Sequence, residues 1–590
     1  MSNSASINKT LIVVSADITV VTGRIRRCLA VVLAALLVVS SAGVGVGAET
    51  SPRDDGASVP YRSAAGAAAE NVGVEQQIHL SNGTGPGAVA AEVTYRLNDE
   101  ATALELRFDE AANVTVAETA GFERVEPGVY RWTGERRRPT LTFERSVSRT
   151  TLDHRGAGVD TGTWAAVDVR RFTPSIRGRT AGATGVSTAV SVEGPGHATP
   201  SFAFLGPVEV SNRTVDGERI SLVVPDAASM ASEPSAVLAS VASAAERLPE
   251  SDRDEAHLFA IPSGYVQTTA GGLSFDGGAT AWVRDDASVD APSNVWVHEY
   301  VHVRQSYKAT AEMRWFREAS AEYYASYLPL QSGDLAFERF QATVRTDAYD
   351  DAVLSTPSNW SSPLVPYRKG ARALAALDAS IHDATDGERT LTAVFERVNA
   401  HEGTVDYETF RAIVVDVSDE SVAAELDRTV WSTATPNVST RPLDYTQYPS
   451  DDPDTDGLTN AEERATGTHP FVADTDGDGY DDGEERERGT DPTVADSTPE
   501  TGGEGEETGD GTDRTDAGVV DTDGDGLSDA TERERGTDPT DADTDGDGYD
   551  DDREVAVGTD PTEPTETVSF WVARLFAAFE SVVSGSLVAR

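Results

Sequence analysis

One acidic pattern recurs four times toward the C-terminus: Asp452 to Glu463, Asp474 to Glu485, Asp521 to Glu532 and Asp543 to Glu554. The copies form two pairs, each with a 22-residue offset, joined by a Gly/Glu/Thr-rich stretch at 497–520. In every copy, oxygen-bearing side chains stand at positions 1, 3, 5, 9 and 12, with glycine at position 6. They are Asp452, Asp454, Asp456, Asn460 and Glu463; Asp474, Asp476, Asp478, Asp482 and Glu485; Asp521, Asp523, Asp525, Asp529 and Glu532; and Asp543, Asp545, Asp547, Asp551 and Glu554. So acidic a segment buries too little apolar surface to fold unaided. Calcium takes six to eight oxygens, and a glycine lets a loop turn sharply around it, so the pattern predicts Ca2+-organised loops.

The chain has 590 residues, whereas single cores stop growing at about 250–300. From about 74 to 225 apolar residues alternate between turn signals such as Asn82-Gly83. Val93 to Leu97, Leu104 to Phe108 and Thr140 to Phe143 read as half-buried strands. An all-β sandwich is expected over 49–225. Helical spacing then takes over at Ala236 to Arg247 and Arg368 to His382, with strand-like runs at Ala256 to Ile261 and Thr280 to Val283. This predicts an α+β domain over 226–447. A calcium-loop stalk follows over 448–565, its linker at 497–520 disordered. Residues 566–590 read as an amphipathic helix whose Arg574 and Glu580 make it a poor membrane span.

Forty-eight basic residues face 100 acidic ones, a net charge of -52, which repels nucleic acid. Lys9, Lys308 and Lys369 are the only lysines. Carboxylates spread over the whole chain, with arginine in place of lysine, predict adaptation to high salt, where screening removes self-repulsion. Cys28 is the single cysteine, so no internal disulfide forms. It opens an apolar run that follows Arg24, Arg26 and Arg27 and ends at Val46-Gly47-Ala48. That order predicts an export signal over 1–48 and a secreted, extracellular protein. The same run left uncleaved, or the C-terminal helix, would attach the protein to a membrane or cell surface.

Chemistry is concentrated at His298-Glu299-Tyr300-Val301-His302. On a helix, residues four apart share a face, so His298 and His302 can grip one metal ion. Glu299 lies about 100° round the helix, where it can take a proton from a metal-bound water. A catalytic zinc wants a third protein ligand and one open position. Glu318 and Glu322 follow, one helical turn apart, so that one can bind the metal while the other orients a histidine. The block Tyr367-Arg368-Lys369-Gly370-Ala371 comes next.

These blocks resemble the gluzincin metallopeptidases, in particular the aminopeptidase N-like and glycyl aminopeptidase-like families. Those pair HExxH with a later Trp-x-x-Glu-Gly-x-x-x-Tyr block and a Tyr-x-Lys-Gly-Ala block. The resemblance implies a thermolysin-like catalytic domain, Zn2+ held by His298, His302 and Glu318, and Glu299 as general base. It makes Glu322 a supporting partner of a ligand and Tyr367 the hydroxyl that stabilises the oxyanion. Two positions depart from the family: Ala319 stands where glycine is usual, and Ser274 falls where a glutamate holds the substrate's amine. The acidic repeats are similar to thrombospondin type 3 repeats. The expected function is a secreted zinc metallopeptidase acting on polypeptides, with internal cleavage favoured. The competing reading is a calcium-dependent surface adhesion protein with a metallopeptidase-like domain that cleaves nothing.

Overall fold

The computed structural model describes residues 61–62 and 72–495, apart from 100, 109–112, 153–155, 181–184, 252, 267–270, 276–277 and 347. It also describes residues 533, 537, 544 and 562. The expected export signal, the linker, the C-terminal helix and the two distal calcium loops (Asp521, Asp523, Asp525, Asp529 and Glu532; Asp543, Asp545, Asp547, Asp551 and Glu554) lie outside the described residues. The chain divides into two units, Met1–Thr498 and Pro499–Arg590. The first is described here.

Its N-terminal part is built of β-strands, because two-residue alternation puts every second side chain on one face. Along Ala88–Leu97, for example, Val89, Ala91, Val93, Tyr95 and Leu97 are buried while intervening side chains face outward. A six-stranded sheet runs Tyr61–Arg62, Gly185–Val192, Val72–Asn82, Ala88–Leu97, Thr140–Ser146, Val114–Ala120. Two four-stranded sheets accompany it, and one apolar core joins Leu80, Leu106, Phe143 and Val167 from all three.

The second part holds a five-stranded sheet ordered Val208–Val215, Glu218–Pro225, Glu255–Ile261, Thr280–Arg284, Gly272–Ser274. Glu218–Pro225 pairs in parallel with Glu255–Ile261, which pairs in parallel with Thr280–Arg284. Val208–Val215 and Glu218–Pro225, which precede the expected border at 225, therefore belong to the same sheet as Glu255–Ile261. Alternation identifies a strand without saying which sheet it joins. Helices pack on the sheet, among them Pro234–Arg247, Val295–Arg304, Arg314–Gln331 and Ala371–Ala384. Among the described residues, no helix is long and apolar enough to cross a membrane.

The first two acidic repeats are not a separate stalk. They belong to the first unit and pack against the helices. Phe471 stacks on Phe337 with ring centroids 5.9 Å apart, and His469 meets Phe337 edge-on at 5.4 Å. Asp451 pairs with Arg247 at 2.7 Å, and Arg464 donates to His382 Nε2 at 3.0 Å. The few apolar residues among so many carboxylates make this docking surface.

Candidate functional site

The helix Val295–Arg304 starts where Asn294 caps it, its side-chain oxygen accepting from the backbone N–H of Trp296 and Val297 at 3.0 and 3.4 Å. Ten residues are too few for a stable isolated helix, so tertiary contacts must hold it. Every residue from Trp296 to Arg304 is buried. Tyr300 and Arg304 meet Glu218 at the back: the Tyr300 hydroxyl donates to Glu218 at 2.6 Å and Arg304 at 3.0 Å.

The opposite face carries His298, Glu299 and His302, and the helix Arg314–Gln331 brings Glu318 to them. One ligand atom from each of His298, His302 and Glu318 lies within 4.8 Å of the others. Glu318 Oε2 is 3.2 Å from His302 Nε2 and 3.7 Å from His298 Nε2. Glu322 Oε2 stands 3.3 Å from His298 Nδ1, on the side of the ring away from Glu318. Burial lowers the His298 pKa, but its hydrogen bonds to the carboxylates of Glu318 and Glu322 outweigh that and raise it to about 10. Burial likewise opposes ionisation of Glu318, yet the two histidines hold its carboxyl well below the usual range. Two imidazoles and one carboxylate whose donor atoms converge within 4.8 Å fit zinc.

Glu299 is buried, its Oε2 has no hydrogen-bond partner, and burial raises its pKa. It lies against the backbone of the edge strand Gly272–Ser274: a Cβ on Gly272 would be 2.5 Å from Glu299 Cγ. Tyr367 stacks flat on His298, with centroids 5.5 Å apart and planes 3° from parallel. Its hydroxyl hydrogen-bonds Glu318; burial and that carboxylate push its pKa upward. Tyr367 sits on a π-helical turn, Pro366–Gly370. The departure at Ala319 is accommodated there, since a Cβ on Gly370 would lie 2.8 Å from that of Ala319. Lys369 of the same block is buried and donates to the carbonyls of Asp350 and Ala352, which makes it structural.

All the catalytic-site residues expected from sequence are therefore together. Sequence reasoning missed Gln305, which accepts from His302 Nδ1 at 2.9 Å, and the Glu218 brace. Gln305 stands three residues after the motif, a spacing that could have drawn attention to it.

The two described acidic loops also gather their ligands. Asp452, Asp454 and Asp456 form one cluster, and Asp474, Asp476 and Asp478 another. Glu463 is fully buried with both carboxylate oxygens unpartnered, and so is Asn460 Oδ1. Burial, then Asp454 and Asp456, raise Glu463 to about 9. Burial, then Asp476 and Asp478, raise Glu485 to about 7. Asp482 is engaged by Thr475, accepting from its N–H at 2.8 Å and its hydroxyl at 2.6 Å. An all-oxygen donor set with unpartnered buried carboxylates fits a hard cation such as calcium.

The family model of the bacterial TSP3 repeat matches residues 452–473, 474–495, 521–542 and 543–564. The chain thus carries four repeats of this kind. Solved structures similar to the chain include an aminopeptidase N family protein from Idiomarina loihiensis, with TM-score 0.47 and 14% identity, covering 62% of this chain and 77% of that one. An M1 zinc metallopeptidase from Deinococcus radiodurans, bound to a Tyr-Ser-Ala substrate, has TM-score 0.42 and 14% identity, with 62% and 96% covered. Aminopeptidase A from Legionella pneumophila, in complex with aspartic acid, has TM-score 0.36 and 10% identity, with 61% and 50% covered. No curated protein matches the chain.

Proposed function

We propose that the protein is an exported, salt-adapted zinc metallopeptidase that cleaves polypeptides internally and carries calcium in its acidic loops. The observation that carries this reading is the convergence of His298, His302 and Glu318 beside the unpartnered carboxylate of Glu299. Zinc bound there would supply Lewis acidity toward the scissile carbonyl and toward water. Glu299 takes the proton of the attacking water and returns it to the leaving nitrogen; its burial keeps it basic enough to do both. Tyr367, held protonated by burial and by Glu318, donates to the oxyanion that develops on the carbonyl. Glu322 accepts from His298 Nδ1 and keeps that ring oriented.

Internal cleavage is favoured by the edge strand. Gly272–Ser274 closes one side of the sheet beside Glu299, where a peptide could add as a further strand. An aminopeptidase needs a carboxylate there for the substrate's ammonium, and this strand has Ser274 instead. Salt adaptation rests on the net charge of -52, and export on the run that ends at Ala48.

The test is peptidase activity in molar salt. Glu299→Gln should lose activity by about 10²–10⁴-fold while keeping one zinc per chain. Retained zinc and no activity in the wild type would favour the adhesion reading. One peptide offered free and N-acetylated tests the cleavage mode. Cutting both at the same internal bond supports internal cleavage, and removal of only the first residue of the free form defeats it.

A further inference from the structure

Gln305 ends the histidine helix and is 2 % exposed. Its side-chain oxygen is 2.9 Å from His302 Nδ1. Its amide nitrogen donates to the backbone carbonyl of Arg317 at 2.8 Å and to Ser320 Oγ at 2.9 Å. The Ser320 hydroxyl has carbonyl acceptors of its own, Phe316 at 2.7 Å and Arg317 at 3.2 Å. Each polar atom of this amide therefore has a defined role. Turning the amide over would set its oxygen against the Arg317 carbonyl, 2.8 Å away. The orientation is fixed by its surroundings, and it leaves only an acceptor facing His302.

An acceptor at that place demands a proton on Nδ1, so Nε2 is the nitrogen turned toward Glu318, and it would offer its lone pair to a metal lying between them. Arg317 and Ser320 flank Glu318 on the next helix, so one buried amide connects the orientation of His302 to the turn that carries the third ligand. His298 is supported differently, by the carboxylate of Glu322. Resting on the zinc reading above, we infer that Gln305 is a positioning residue: it locks His302 in the Nδ1–H form and ties it to the Glu318 turn. A neutral amide suits this place, since three carboxyl groups, Glu299, Glu318 and Glu322, already lie beside the two histidines.

Selective 15N labelling of histidine in the full-length protein, metal-free at pH 8, reads the ring protons directly, with His302 assigned by its loss in His302→Gln. Zinc affinity is read separately by competition with a chelator. In the wild type, Nδ1 of His302 should carry a proton. Gln305→Met, which keeps shape and removes all three hydrogen bonds, should strip that proton and weaken zinc about 10–100-fold. Gln305→Glu keeps an acceptor toward His302 but loses both donations to the Glu318 turn, so it should keep the Nδ1 proton while zinc stays weaker than in the wild type. A wild-type His302 with bare Nδ1 overturns the inference, and that result needs no variant to fold. So does a Gln305→Met protein whose Nδ1 and zinc affinity are unchanged, or a Gln305→Glu protein whose His302 Nδ1 is as bare as in Gln305→Met. Failure of the zinc reading would look different: no zinc uptake by the wild type, with the Nδ1 proton present.

Discussion

Glu218→Ala removes the acceptor behind the histidine helix, and its cost follows from what remains. Arg304 and Glu218 are 5% and 4% exposed and 3.0 Å apart. Without Glu218, the guanidinium keeps only the Tyr300 hydroxyl at 2.6 Å and the Pro249 carbonyl. An uncompensated buried charge of this kind costs about 3–5 kcal/mol. With about 2–4 °C of Tm per kcal/mol in large domains, the melting point should fall by about 6–20 °C. Near-UV circular dichroism on heating, at fixed metal content, measures this in low and in molar salt. Molar salt shortens screening to about 3 Å in water, but ions do not enter this pocket, so the loss should persist. The exposed pair Arg96 with Glu75, at 62% and 49% exposure, should by contrast contribute less than about 1 kcal/mol and vanish in salt. Replacing the whole group by apolar residues (Glu218→Leu, Arg304→Met, Tyr300→Phe) should recover most of the stability, because no charge or hydroxyl is left stranded. A Glu218→Ala protein that melts within 2 °C of wild type (roughly 1 kcal/mol or less) would refute the reasoning. So would a triple variant less stable than the single one.

Gly272→Ala should displace Glu299 by about 1 Å and cut activity by about 10²-fold with zinc content unchanged; activity within twofold of wild type would count against the placement of the base. Calcium at 10 mM should stabilise the first unit by about 3–5 kcal/mol through its two described loops, if each binds in the 10⁻⁴–10⁻³ M range of extracellular modules. A Tm insensitive to calcium refutes that. Burial, then Arg464, lowers the His382 pKa to about 4. The folded state then binds fewer protons than the unfolded one between about pH 6.5 and 4, so stability should fall as pH drops through that window. His382→Gln should flatten this part of the denaturant-midpoint profile, and an unchanged slope excludes His382 as its source.

The parts that could be read ahead are those with a local signature. Val89 to Leu97 alternates, so its buried face was visible in the spelling of the strand. His298 and His302 share a helix face by spacing alone, and the triplet Asp452, Asp454, Asp456 needs no distant partner to gather. Contacts between distant segments had no such signature. Glu218 reaches Arg304 across 86 positions, and its strand resembles those of the N-terminal sheets, which is also why the border was placed at 225. Phe471 is one aromatic in an acidic repeat, and nothing local announces that it stacks on Phe337. The carboxylates set the expectation of a free stalk, whereas the few apolar residues decide where the first two repeats sit.

The histidine helix combines these two kinds of information. Its motif is local, but a helix of ten residues cannot aim two ligands by itself. Three buried contacts do so: Asn294 at the start, Glu218 at the back and Gln305 at the end. None is an exposed ion pair, and none weakens when salt screens the surface. In a protein with so large a negative charge, surface attractions are a poor means of holding ligands to tenths of an ångström, since their strength changes with ionic strength. Buried hydrogen bonds keep the geometry constant across that range. On the proposed salt-adapted reading, the acidic surface would serve solubility in brine without disturbing the site, because the two roles depend on different residues.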